Sequence, residues 1–132
     1  MTTPKIIAFI AVLVLIAGVV LSLDGTNNIS QEALQERMES PYDTLILDVR
    51  TVREYEGGHI PSAINIPHKE LSDRLDELNA HKGKSIVLYC ESGRRAGMTK
   101  GVLEKAGFTK LLHLDGDMKA WRTKRLPQRQ GG

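Results

Sequence analysis

Three short apolar runs punctuate the polar part of the chain, and each stops at or beside a residue able to do chemistry. Thr44–Val49 reads TLILDV and carries Asp48. Ser85–Tyr89 reads SIVLY and runs into Cys90. Lys110–Leu114 reads KLLHL and meets Asp115-Gly116. Runs apolar on both faces suit central strands of a parallel sheet covered by helices on both sides. A shorter strand is predicted over Ala63–Ile66, ahead of Pro67. Between these runs the apolar period lengthens to that of a helix. Ile29, Ala33, Leu34 and Met38 share one face, with Ser30 as N-cap and Pro41 as the stop. Leu71, Leu75 and Leu78 form a second such face, and Met98, Val102 and Ala106 a third. The alternation predicts one α/β domain with a mostly parallel central sheet and helices on both faces. Such sheets bind ligands beyond the carboxyl ends of their strands, which places Asp48, Cys90 and Asp115 on one edge.

The N-terminal pattern is different. Ile6–Leu23 contains no charged residue and no polar stripe. As a helix it extends about 27 Å, close to the hydrocarbon thickness of a bilayer. It therefore reads as a membrane span or a secretory signal. Its length and the lack of an Ala-x-Ala site favour an uncleaved anchor over residues 1–23. Asp24–Asn28 then forms a turn-rich linker, and 29–132 the domain. Lys5 precedes the run, and Asp24 and Glu32 come after it. Positive-inside reasoning puts the domain on the extracytoplasmic, periplasmic side of a membrane contacted through residues 6–23.

Composition narrows the chemistry. At 132 residues and a net charge of +2, the chain holds one modest domain and shows no bias toward nucleic acid. A single cysteine excludes an internal disulfide and a thiolate zinc cluster. His59, His68, His81 and His113 stand at no metal-ligand spacing and read as structural or surface residues. After Asp117 come Lys119, Arg122, Lys124, Arg125 and Arg129 with no acid between them. That is a solvated face, or a contact for anionic lipid or an acidic partner.

The question then centres on Cys90. On its own, a cysteine ending a strand is most simply a small apolar residue. Here, however, Glu91-Ser92-Gly93-Arg94-Arg95 comes directly after it, a turn leading into a helix. Gly93 can take a backbone conformation closed to other residues. A tight turn into a helix aims several N–H groups and the positive end of the helix dipole inward, and two arginines add to that field. Such surroundings favour the thiolate, which is the nucleophilic form.

Cys90-Glu91-Ser92-Gly93-Arg94-Arg95 resembles the C-x-x-G-x-R active-site loop of the rhodanese family. Leu47–Pro67, Leu103–Phe108 and Leu114–Trp121 are similar to other segments of that family, in the same order and spacing, so the resemblance covers about Ile29 to Leu126. It implies a rhodanese-like fold and a two-step sulfur transfer without metal or organic cofactor. Cys90 would take sulfane sulfur from a donor such as thiosulfate. A thiophilic acceptor, cyanide or a thiol, including one on a protein, would remove it. The alternative is a membrane-tethered sulfur carrier or binding module with little turnover on small donors. In this reading Cys90 is catalytic; Glu91, Ser92, Gly93, Arg94 and Arg95 bind the donor; Asp48 and Arg50 support the loop, with Asp48 orienting one of its arginines. Glu54 and His59 are expected to be structural. Asp117 stands where the family usually has a second glycine, and Glu91 offsets part of the positive field. A phosphatase of related fold is disfavoured, because four residues separate Cys90 from Arg95 rather than the five of those relatives.

Overall fold

The structure is a computed structural model that describes residues 27–40 and 43–132. The apolar segment 6–23 and most of the predicted linker lie outside the described residues. Among those described, no helix is long and apolar enough to cross a membrane.

Five parallel strands form one sheet in the order β1-β5-β4-β2-β3. They are β1 (Asn28–Ile29), β2 (Thr44–Asp48), β3 (Ile64–Asn65), β4 (Ser85–Tyr89) and β5 (Leu111–Leu114). The helices are α1 (Gln31–Met38), α2 (Val52–Gly57), α3 (Arg94–Lys105) and α4 (Asp117–Thr123). The apolar runs are central because both their faces are needed. Leu47 of β2, Val49 just after it, and Ile86 and Leu88 of β4 pack with Cys90 against Ala96 and Leu103 of α3. Ile46, Val87 and Tyr89 point to the opposite face, against Leu34 of α1 and Met118 and Trp121 of α4. Helical cover on both faces is thus as expected.

Local details differ from the periodicity reading. Ile29, expected on the first helical face, lies in β1 and pairs with Leu114. Ser30 does cap α1, accepting from Ala33 N at 3.0 Å. The Leu71–Leu78 segment forms two 3₁₀ helices, Leu71–Asp73 and Leu75–His81, with Leu71 and Leu78 buried. On α3 the buried face is Ala96, Thr99 and Leu103, while Met98 is 50% exposed. The small side chains of Ala96 and Thr99 let the first turns lie against the Cys90 loop. The apolar period alone favours the bulkier Met98.

Candidate active site

The sheet brings the chemistry to one edge. β2 and β4 pair in register, Asp48 opposite Tyr89, so Asp48 and Cys90 leave adjacent strands together. The loop after Cys90 is held from below by α4. The N–H groups of Met118 and Lys119, which begin that helix and lack partners within it, donate to the carbonyls of Cys90 (3.0 Å) and Glu91 (3.1 Å). The Asp117 carboxylate accepts the N–H of Cys90 itself at 3.0 Å.

Cys90 is 1% exposed. Its Sγ accepts from Gly93 N at 3.0 Å and Ala96 N at 3.4 Å. The loop can make this turn because Gly93 has φ 112°. A Cβ there would lie 3.1 Å from Asp117 Oδ2 and 3.3 Å from His113 Cε1. Gly93→Ala is therefore expected to destabilise the fold by about 1–2 kcal/mol through the left-handed backbone alone. It should also slow alkylation of Cys90, since the Gly93 N–H must shift. A variant that keeps both its denaturation midpoint and its alkylation rate would contradict this reading of the turn.

Around the sulfur the charges are matched pair by pair. Arg95 binds Glu54 through two bonds, of 2.6 and 2.9 Å. That bond, with those from Thr51, holds the Glu54 carboxyl down to about 2. Glu91 is bound by Arg122 at 2.8 and 2.9 Å and approached by Arg50 at 3.6 Å. Its pKa is lowered, chiefly by the bond to Arg122. Asp48 and Arg50 are both buried and joined at 2.7 Å, and Arg50 also donates to Gly58 O at 2.7 Å. Beneath the loop, His113 Nε2 lies 2.8 Å from Asp117 Oδ1. This contact raises the His113 pKa.

Several expectations change here. Asp48 orients Arg50, not an arginine of the loop; the carboxylate that holds a loop arginine is Glu54. Arg95 is engaged by Glu54 and does not stand open for a donor. Arg94 is exposed and makes no ion pair among the described residues. Ser92 is exposed and lines a separate hollow of about 490 Å³ with Lys119 and Thr123. Asp115 is exposed in the turn before α4. Asp117, which the sequence marks only as a replacement for glycine, accepts the backbone N–H of the nucleophile Cys90. Part of the basic tail is structural, with Arg122 on Glu91 and Lys124 on Glu32 at 3.1 Å. His59 stacks on Tyr55 and exchanges backbone bonds with Arg129, a structural role. Glu54, Arg122, His113 and Asp117 are the site residues that sequence reasoning missed or set aside. A Thr-x-x-Glu capping box starting at Thr51, just past a strand end, was the available signal for Glu54.

Among the described residues no cluster of His, Cys, Asp and Glu could hold a metal ion. The fold and the loop together define a parallel α/β domain that presents one cysteine sulfur to backbone N–H groups at a helix start. Residues 30–124 match the rhodanese-like domain model. The chain belongs to the rhodanese-like family. It is 34% identical over 101 residues to a sulfurtransferase of Allochromatium vinosum, covering 76% of this chain and 92% of that protein. It is 38% identical over 96 residues to a Bacillus subtilis protein named provisionally as a sulfur carrier, 73% of this chain and 51% of the relative's length. Its fold is similar to that of a rhodanese-related protein of Thermoplasma volcanium, with TM-score 0.68, 25% identity, and coverage of 77% of this chain and 96% of that one.

Proposed function

We propose that the protein is a sulfurtransferase that carries sulfane sulfur as a persulfide on Cys90. The observation that carries this is the pair of N–H groups on Sγ at 3.0 and 3.4 Å. Fixed donors at the start of a twelve-residue helix stabilise an anionic sulfur without reorganisation. In the first step the thiolate attacks the outer sulfur of a donor such as thiosulfate. A bond forms from Cys90 to that sulfur, the donor's own S–S bond breaks, and its electron pair leaves with sulfite. In the second step cyanide or a thiolate takes the outer sulfur, and its bond to Cys90 returns an electron pair to the thiolate.

A second reading, a sulfur carrier that loads readily and turns over slowly on small molecules, is favoured by the likeness to the Bacillus subtilis protein named as a carrier. Apolar residues 6–23 support tethering of either form to a membrane, with the domain on the extracytoplasmic face. A reporter fused after Gly132 that worked only in the cytoplasm would overturn that topology.

The test is the intact mass of the full chain after brief exposure to thiosulfate. One added sulfur atom is expected, removed by cyanide and absent in Cys90→Ala. No added sulfur, on a chain whose thiol still alkylates, would exclude thiosulfate as donor. Rapid release of thiocyanate separates the enzyme from the carrier.

A further inference from the structure

Three arginines bordering the Cys90 loop are matched by carboxylates, while Arg53 and Arg94 are exposed and have no carboxylate partner among the described residues. The matched three, Arg50, Arg95 and Arg122, surround the loop from α2's approach, α3 and α4. Three carboxylates, Asp48, Glu54 and Glu91, answer them. Glu54 and Glu91 border the same hollow of about 350 Å³, with Arg50, Arg53 and Arg122. Each of these two acids also occupies the guanidinium that an incoming anion would need. Arg95 spends two N–H groups on Glu54, and Arg122 spends two on Glu91.

Thiosulfate brings two negative charges to a thiolate that carries one. The reacting complex therefore holds three, against two backbone N–H groups on the sulfur. A persulfide or an organic thiosulfonate brings only one. Of the arginines around the loop and the hollow, those left without a carboxylate among the described residues are Arg94, at the exposed rim, and Arg53, exposed on α2.

We propose that Glu54 and Glu91 are specificity-determining residues that turn the site toward monoanionic sulfane-sulfur donors, such as the persulfide of a thiol, and away from small dianions. This rests on the reading of Cys90 as the sulfur-transferring group. Each carboxylate competes from within the chain for the guanidinium that a dianion would recruit. Glu54 stays ionised at any working pH, being held down to about 2 by Arg95 and Thr51. Only a competing anion or a substitution frees Arg95. The persulfide donor's step balances simply: Cys90 thiolate attacks the outer sulfur, the donor's S–S bond breaks, and the donor thiol leaves as thiolate and takes a proton from water.

The experiment compares thiosulfate with benzenethiosulfonate as donors and cyanide as acceptor, for the full chain and for Glu54→Gln and Glu91→Gln. Glutamine at position 54 can keep the cap on Thr51, since the capping box accepts Gln as well as Glu. Glu91 is partly exposed, so its variant tests the idea without touching a helix cap. The wild type is expected to favour benzenethiosulfonate in kcat/KM. In each variant the thiosulfate-to-thiosulfonate ratio of kcat/KM should rise about fivefold, mainly through KM for thiosulfate, the scale of a partly exposed ion pair. A ratio unmoved in both variants, or a wild type that prefers thiosulfate, overturns the charge inference and leaves sulfur transfer standing. Failure of the wild type to load Cys90 from either donor overturns sulfur transfer itself.

Discussion

Asp48→Ala is expected to lower the folding stability by about 3–5 kcal/mol, the cost of leaving one partner of a buried ion pair unmatched. Arg50 is 1% exposed and Asp48 0%. The guanidinium gives Asp48 bonds of 3.1, 3.1 and 2.7 Å, and the Arg50 backbone N–H adds one of 2.9 Å to the same carboxylate. Asn65 then ties the strand ends together by donating to the carbonyls of Asp48 (3.0 Å) and Arg50 (2.9 Å). The guanidinium also lies 5.6 Å from the centre of the Tyr89 ring. Without the carboxylate, a desolvated cation remains with Gly58 O and the more distant Glu91. Chemical denaturation monitored through Trp121, the single tryptophan and fully buried, reads the loss directly. Replacing both partners by apolar residues, Asp48→Leu with Arg50→Met, should recover most of it, because no charge is then left buried. A loss below about 1 kcal/mol for Asp48→Ala, against the 3–5 expected of a buried pair, would mean that Arg50 reaches water in solution.

That pair shows how far the sequence could be read. The apolar runs identify β2 and β4 because a strand covered on both faces must be apolar on both, a constraint visible in TLILD and SIVLY. The Cys90 loop is legible for a similarly local reason: a strand end, a glycine and a helix start within six residues fix where N–H groups point. Partnership between charged side chains is not local. Glu54 lies 41 residues from Arg95, and Glu91 lies 31 from Arg122. No pattern along the chain states which acid meets which base once the strands are ordered β5-β4-β2. The α3 face departs from its periodicity for a different reason. Periodicity weighs hydrophobic size, whereas close approach of a helix start to a loop selects small residues such as Ala96 and Thr99. Asp117 stands out in the sequence as a replacement for glycine, but the partners of its carboxylate, Cys90 and His113, come from other parts of the chain.

Asp117 carries the second large effect. It sits at φ 53° and is 3% exposed, with one oxygen shared between the Cys90 N–H and His113 Nε2. Gln31 Nε2 donates to its backbone carbonyl at 3.3 Å. Asp117→Ala keeps the unfavourable backbone and strands a buried N–H, so a loss of about 2–3 kcal/mol is expected. Loading of Cys90 should fall with it, since that N–H sets where the loop begins. Asp117→Asn separates charge from hydrogen bonding: the amide oxygen can still accept from Cys90, and asparagine tolerates a positive φ. The two variants therefore differ most in their pH dependence. The His113 pKa is raised above 6.5 in the fold, first by its bond to Asp117 and with burial opposing. A group raised by folding stabilises fully below its unfolded pKa and loses that contribution as pH climbs through its folded one. The charges facing the ring, Asp117 and Asp115 on one side and Lys100 on the other, leave the carboxylates dominant. Wild-type stability should thus decline from pH 6.5 upward through the His113 titration, and the decline should vanish in Asp117→Asn and in His113→Gln. Denaturation midpoints at about pH 6, below the unfolded value, and at about pH 8, above it, decide it. A wild type equally stable at both, or an Asn variant that keeps the wild-type slope, would show that the Asp117–His113 contact is not an ion pair in solution and that the carboxylate serves Cys90 alone.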